Sequence, residues 1–250
     1  MKEEIVKICK KLEKENKIKI LFAVENGSRA WKMDSKDSDY DVRFVYVKDI
    51  KEYIQIKQPR DVIELDKGLI DMVGFDIFKF VKMLASSNPT MIEWLNSDIT
   101  YYRKQNKVFQ KFAEKHYNPK ALYFHYKSMC NNNYVKYLKS GNLVTYKKYL
   151  YAYRGLVNAK WVINKKTLPP IEFKKAIEGM KNIIPKEITE KLKVIIKLKS
   201  KGKEKDRIQN IVKMDNYIEK FLDDKKEILQ NKDRNTKMLN EELRKIVIKK

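Results

Sequence analysis

The stretch DYDVRFVYV at residues 39–47 restricts the fold more than any other part of the chain. Tyr40, Val42 and Phe44 fall on one side of an extended backbone, and Asp39, Asp41 and Arg43 fall on the other. That alternation predicts a strand with one face in a core. It also sets two carboxylates side by side, an arrangement that costs stability unless a cation lies between them. A strand of this kind needs partners. IKILFAV at 18–24 reads as a buried strand, and DVIEL at 61–65 and LIDMVGF at 69–75 supply two more.

Helical signals surround these strands. Ile5, Ile8, Cys9 and Leu12 recur at helical spacing within 2–15. A short helix is expected after Asn26-Gly27, ending near Met33. From residue 77 onward helices dominate, with spans expected at 77–86, 89–96, 104–115, 119–140, 143–164, 171–182, 185–199 and 207–229. Gly141, Pro169-Pro170 and KSKGKEK punctuate them, and the charged tail after Asn231 reads as a loose helix. The expected fold is therefore α+β. A domain at 1–100 carries a small mixed sheet with flanking helices, and a basic, aromatic-rich helical domain follows at 101–250.

Composition narrows the function classes. No apolar run reaches the roughly 18–20 residues of a membrane span, and the first residues lack a signal-peptide apolar region, so no membrane association and a cytoplasmic location are expected. Cys9 and Cys130 stand alone and read as buried thiols. With only His116 and His125 present, a His-based zinc site or a Ser-His-Asp triad is disfavoured.

The net charge of +23 is unevenly placed. Residues 1–100 hold 18 basic and 18 acidic side chains. Residues 101–171 hold 15 basic side chains against the single acid Glu114, and 15 of the chain's 28 aromatic residues. Cations interleaved with aromatics suit a surface that neutralises phosphates and stacks on bases. An RNA partner for 101–171 is the expectation.

The acid pair points to chemistry as well as to fold. Two hard-oxygen ligands on one strand face suit Mg²⁺, which keeps several waters and accepts phosphate oxygens. Two such ions about 3.5–4 Å apart can activate an attacking oxygen and stabilise a leaving one. Upstream, Gly27 permits close backbone approach and Ser28 adds a hydroxyl. Together these features point to phosphoryl or nucleotidyl transfer.

Gly27-Ser28 followed by Asp39-Tyr40-Asp41 resembles the GS…DxD signature of the DNA polymerase β-type nucleotidyltransferase superfamily. The longer string GSRAW…DSDYDVRF is similar to its RlaP/YcgL-like branch, named for its association with RNA ligases. Further matches are GFDIFKFVKML, SNPTMIEWLNSDITYY, YKKYLYAYRGLVNAKWV and PPIEF, so the likeness runs from residue 21 to at least 173. Asn26 and Lys32 stand where the branch carries a small residue and a glycine.

The resemblance implies transfer of a nucleoside monophosphate from an NTP, ATP or CTP, with release of pyrophosphate. Mg²⁺ or Mn²⁺ would be held by Asp39, Asp41 and a third acid on a neighbouring strand. Asp71 in LIDMV is favoured for that role because an unpaired carboxylate in an apolar strand is costly, whereas Asp76 in GFDIF is explained by capping the next helix. Gly27 and Ser28 would cradle phosphates, with Arg29, Lys148 and Arg154 as further nucleotide contacts. Arg43 fits either a phosphate contact or a counter-ion to the aspartates. The favoured acceptor is an RNA 3′ end. The alternatives are nucleotidylation of a protein or small molecule, and a catalytically inactive RNA-binding module.

Overall fold

The computed structural model describes residues 1–139, 143–203, 206–224 and 236–248. Gly141, part of KSKGKEK and the first residues of the charged tail lie outside them. The fold is α+β, a mixed sheet with helices followed by a helical part. Two compact units are formed. One takes Met1–Ala30, Asp39–Tyr117 and the C-terminal helix; the other takes Trp31–Ser38 and the helices after Asn118.

The first unit opens with α1 (Lys2–Asn16), whose Ile5, Ile8, Cys9 and Leu12 are buried as their spacing requires. The strands β1 (Lys19–Asn26), β2 (Tyr40–Val47), β3 (Val62–Lys67), β4 (Ile70–Asp76) and β5 (Thr100–Tyr102) form one sheet in the order β3-β4-β2-β1-β5. Only β2 and β4 run parallel; the other neighbours are antiparallel. Between β2 and β3 lies the four-residue helix α2 (Ile50–Tyr53).

Each face of the sheet has its own cover. Val42, Phe44, Tyr46 and Met72 join the α1 residues in one buried cluster. On the other face Phe22, Phe75, Phe80, Trp94 and Phe109 form a chain of ring contacts. Those rings come from the strands and from α3 (Ile77–Ala85), α4 (Pro89–Asn96) and α5 (Lys107–His116). The C-terminal helix α11 (Lys237–Ile248) packs on α3 and α5.

Residues 27–34 depart from expectation. A bend at Gly27 leads into turns at 28–32 and irregular chain at 33–34, not a helix, because Gly27 (φ 79°) and Lys32 (φ 55°) both adopt left-handed backbone. Lys32 takes the conformation that glycine favours, at the place where the resemblance implies a glycine.

In the second unit α6 (Pro119–Tyr137) pairs with α7 (Tyr146–Lys165), and α8 (Phe173–Gly179), α9 (Lys186–Ser200) and α10 (Val212–Asp223) surround them. α7 is central, with Leu150, Tyr153, Leu156 and Ala159 all buried. Tyr153 donates from its hydroxyl to the Met214 carbonyl at 2.8 Å, and Tyr149 donates to Asp215 at 2.8 Å, tying α10 down. The expected helix 207–229 begins late. Arg207–Ile208 form β7, which pairs with β6 (Val144–Thr145), and the helix starts at Val212. Among the described residues no helix is long and apolar enough to cross a membrane.

Candidate active site

The register of the sheet sets the site. Asp41 on β2 stands opposite Asp71 on β4 in the parallel pair, and opposite Asn26 at the end of β1. Asp66 on β3 faces Asp71 from the far side. Partners in register share a sheet face, so a row of carboxylates crosses three strands.

Arg43, two residues beyond Asp41 on the same face, lies between the two inner acids. Its Nη2 donates to Asp41 Oδ1 at 3.0 Å and to Asp71 Oδ2 at 2.7 Å. Its Nη1 donates to the carbonyls of Val42 and Asp71, each at 3.1 Å. The guanidinium side chain is only 15 % exposed. Both terminal nitrogens are thus committed to joining β2 to β4, which is the geometry of a counter-ion.

Gly27 is explained by Asp41. A Cβ on Gly27 would lie 2.1 Å from Asp41 Oδ2, and the positive φ disfavours any side chain there besides. The glycine and the second aspartate of the sequence motif are therefore packed against each other, although 14 positions separate them. Ser28 follows, buried. Arg29 donates from Nε to the Asp39 carbonyl at 3.1 Å, with its guanidinium 3.9 Å from the centre of the Tyr40 ring, so it braces the entry to β2.

Asp39 itself is exposed and precedes the strand. Among the described residues no three Asp, Glu, His or Cys side chains converge as a ready metal-ligand group. The pair that does meet is Asp41 with Asp71, bridged by a cation.

Asp76 is placed elsewhere. It ends β4 opposite Tyr46, five residues beyond Asp71, and caps α3 by accepting from the Phe78 amide at 2.9 Å. Tyr53 donates to its other oxygen at 2.7 Å. Burial raises its pKa above the ordinary value. Lys148 and Arg154 belong to the helical unit. Lys148 sits over the Tyr137 ring at 3.4 Å, while Arg154 is buried beneath Trp31 at 3.7 Å from the ring centre.

One acid escaped the sequence reading. Glu25, fully buried on β1, accepts the Asp41 amide at 2.9 Å through one oxygen and the Tyr101 hydroxyl through the other. Ser97 donates to the Glu25 carbonyl at 2.6 Å. The signal was present: a glutamate closes the apolar run IKILFAV, and a buried carboxyl demands a partner. Burial pushes its pKa up to about 7, against the opposing pull of the Tyr101 hydrogen bond.

The folded chain therefore binds this proton more tightly than the unfolded chain, whose glutamate titrates near 4.5. Stability is expected to fall as pH rises between those two values, by up to roughly 3 kcal/mol, and to level off above them. Glu25→Gln keeps an acceptor for Asp41 and cannot ionise. Thermal unfolding from pH 4.5 to 8 should show a much flatter profile for this variant and a higher midpoint than wild type at pH 8. An unchanged slope would place the titration elsewhere.

Comparison with known sequences gives the family. The chain is 35% identical over 247 residues to the uncharacterized protein YcgL of Bacillus subtilis (strain 168), covering 96% of this chain and 94% of that one. The family model described as "RlaP: RNA repair pathway DNA polymerase beta family" matches residues 1–249. A sheet that sets Asp41 against Asp71, with the Gly27 turn pressed on the first of them, is carried by a chain that belongs to the RNA repair pathway DNA polymerase beta family.

Proposed function

We propose that the protein is a metal-dependent nucleotidyltransferase that moves a nucleoside monophosphate from an NTP to an RNA 3′ hydroxyl and releases pyrophosphate. The observation that carries the reading is the Asp41–Asp71 pair, aligned across parallel strands with a guanidinium nitrogen within 3.0 Å of each carboxylate. Two hard-oxygen donors held side by side by a guanidinium fit Mg²⁺ or Mn²⁺ bound through their outer oxygens and completed by water and phosphate oxygens. Bound there, the ion would supply charge neutralisation and a lowered barrier to deprotonating the acceptor.

The remaining work is positioning, as expected for phosphoryl transfer. Asp41 and Asp71 would be the inner ligands, with Asp39 joining them from the start of the strand. Arg43 offsets the repulsion between the two acids and fixes their spacing. Gly27 brings its turn against Asp41, leaving the Ser28 region close enough to meet phosphate oxygens. Glu25 orients Asp41 from behind through the backbone amide. The family's RNA repair description and the 15 basic side chains of 101–171 support RNA as the acceptor.

The test is incubation with each α-³²P-labelled NTP and Mg²⁺ or Mn²⁺, with and without total tRNA, alongside EDTA and Asp41→Ala controls. Label entering RNA only with metal and intact Asp41 is the expected result, and it names the nucleotide. Label entering a protein band instead would replace the RNA acceptor with a protein one. RNA binding should weaken steeply with salt because many phosphates are neutralised. Binding no tighter than that of a control protein of equal charge would remove the RNA partner.

A further inference from the structure

Helix α6 carries a surface that the active-site reading leaves unused. Ala121, Phe124, His125, Ser128, Met129 and Asn132 recur at three- and four-residue spacing, line one stripe, and border a hollow of about 530 Å³. The buried stripe of the same helix, Leu122, Tyr126, Cys130 and Tyr134, faces the rest of its unit. Phe124 is 44 % exposed and Val135 50 % exposed, so the helix leaves large apolar groups in solvent.

The chemistry of the hollow is neutral. It offers an aromatic face, a thioether, a hydroxyl, an imidazole and carboxamides, with no ammonium, guanidinium or carboxylate among its lining residues. Partial burial on the helix surface holds the His125 pKa below its ordinary value. Asn133 is partly spent, since its Nδ2 donates to the Met129 carbonyl at 2.9 Å. Asn131, Asn132 and Ser128 are exposed. Met129 is steadied from below by the Arg154 guanidinium, 3.8 Å from its sulfur.

The helix itself carries cations only, while its buried side meets α10, where Tyr134 donates to Glu219 at 2.7 Å and Lys127 donates to the Asp224 carbonyl at 2.6 Å. All 19 residues of α6 lack a carboxylate, and Lys120, Lys127, Lys136 and Lys139 lie on or beside it. An acidic protein would need cations within the groove itself, and there are none. A single-stranded nucleic acid needs a π-face and neutral hydrogen-bonding groups for an unstacked base, with cations to either side for its phosphates.

We propose that the outward stripe of α6 is a base-binding groove for single-stranded RNA, in which Phe124 stacks on an unpaired base and Ser128, His125 and Asn132 meet its edge. This rests on the RNA reading above and adds that the acceptor is recognised through its bases as well as its backbone.

The test separates the two. Binding of a fluorescein-labelled single-stranded RNA of about 12 nucleotides, within the usual site sizes, is measured by anisotropy against an abasic ribose-phosphate oligomer of the same length and charge. Wild type should prefer the base-bearing strand by about tenfold or more, and Phe124→Ala should remove most of that preference while leaving abasic binding unchanged. Asn132→Ala should give a smaller loss in the same direction. Equal binding of the two oligomers by wild type, or a preference that survives both substitutions, would overturn the groove while leaving RNA binding intact. Equal losses on both oligomers in Phe124→Ala would overturn it too, because the side chain would then act through the fold. No binding of either oligomer by wild type would remove the RNA reading and the groove with it.

Discussion

Asp41→Ala is expected to lower nucleotidyl transfer by on the order of 10³-fold or more, because it deletes the acid to which the surrounding motif is fitted. Arg43 would keep Asp71 and the two carbonyls but lose its second carboxylate. Asp41→Asn separates charge from shape. It preserves volume and one hydrogen-bond acceptor, so its thermal midpoint should stay near wild type while activity falls about as far. Asp71→Asn should behave in the same way.

Asp76→Asn should do the reverse. It keeps transfer and loses about 1 kcal/mol of stability, because its contacts are the Phe78 amide and the Tyr53 hydroxyl. Initial-rate assays and melting curves on the four variants decide the matter. If Asp76→Asn abolished transfer and Asp71→Asn spared it, the site would lie at the wrong end of β4.

A marked loss of stability is expected on filling Gly155, far along the chain from the acids. A Cβ there would lie 2.7 Å from both the Cys130 nitrogen and the Tyr126 oxygen, which are backbone atoms of α6. Neither can turn aside as a side chain would. Gly155→Ala must therefore push α7 away from α6 and loosen the buried Leu122, Tyr126 and Cys130. Overpacking of this kind costs typically about 1–3 kcal/mol, and the roughly 1 kcal/mol gained in helix propensity offsets only part of it. Gly155→Leu enlarges the clash and should be worse than alanine, lowering the melting midpoint by about 5–10 °C. An alanine variant that melted above wild type would mean that the two helices do not touch as described.

The sequence disclosed the strands at the centre of the sheet because their two faces differ in chemistry. DYDVRFVYV could satisfy its apolar and charged sides in one orientation only. Helices with strong apolar spacing were equally legible, as in α1 and α4. The turn at 27–34 was not. A short helix after Asn26-Gly27 is compatible with its residue types, and the left-handed Lys32 gives no sign in its residue type. Short partners such as β5 and β6 carry too few residues to show a period. The facing of Asp41 and Asp71 depends on a parallel register between strands 30 residues apart, which spacing along the chain does not encode. By residue type Arg43 fits phosphate or carboxylate equally, and its four hydrogen bonds to β2 and β4 show what it touches in the folded chain.

The string GSRAW is divided between the two units: Gly27 to Ala30 belong to the sheet, and Trp31 to Ser38 to the helices, where Trp31 covers Arg154 and its carbonyl accepts the Phe173 amide at 3.1 Å. The chain then returns at Asp39, leaves again after Tyr117, and comes back a last time with α11. No single cut yields either unit whole. A fragment ending at Tyr117 would lack the helix that packs on α3 and α5, and would carry Trp31 without its arginine. A gene fusion or deletion that exchanged the sheet or the helices alone would have to rebuild the motif loop as well.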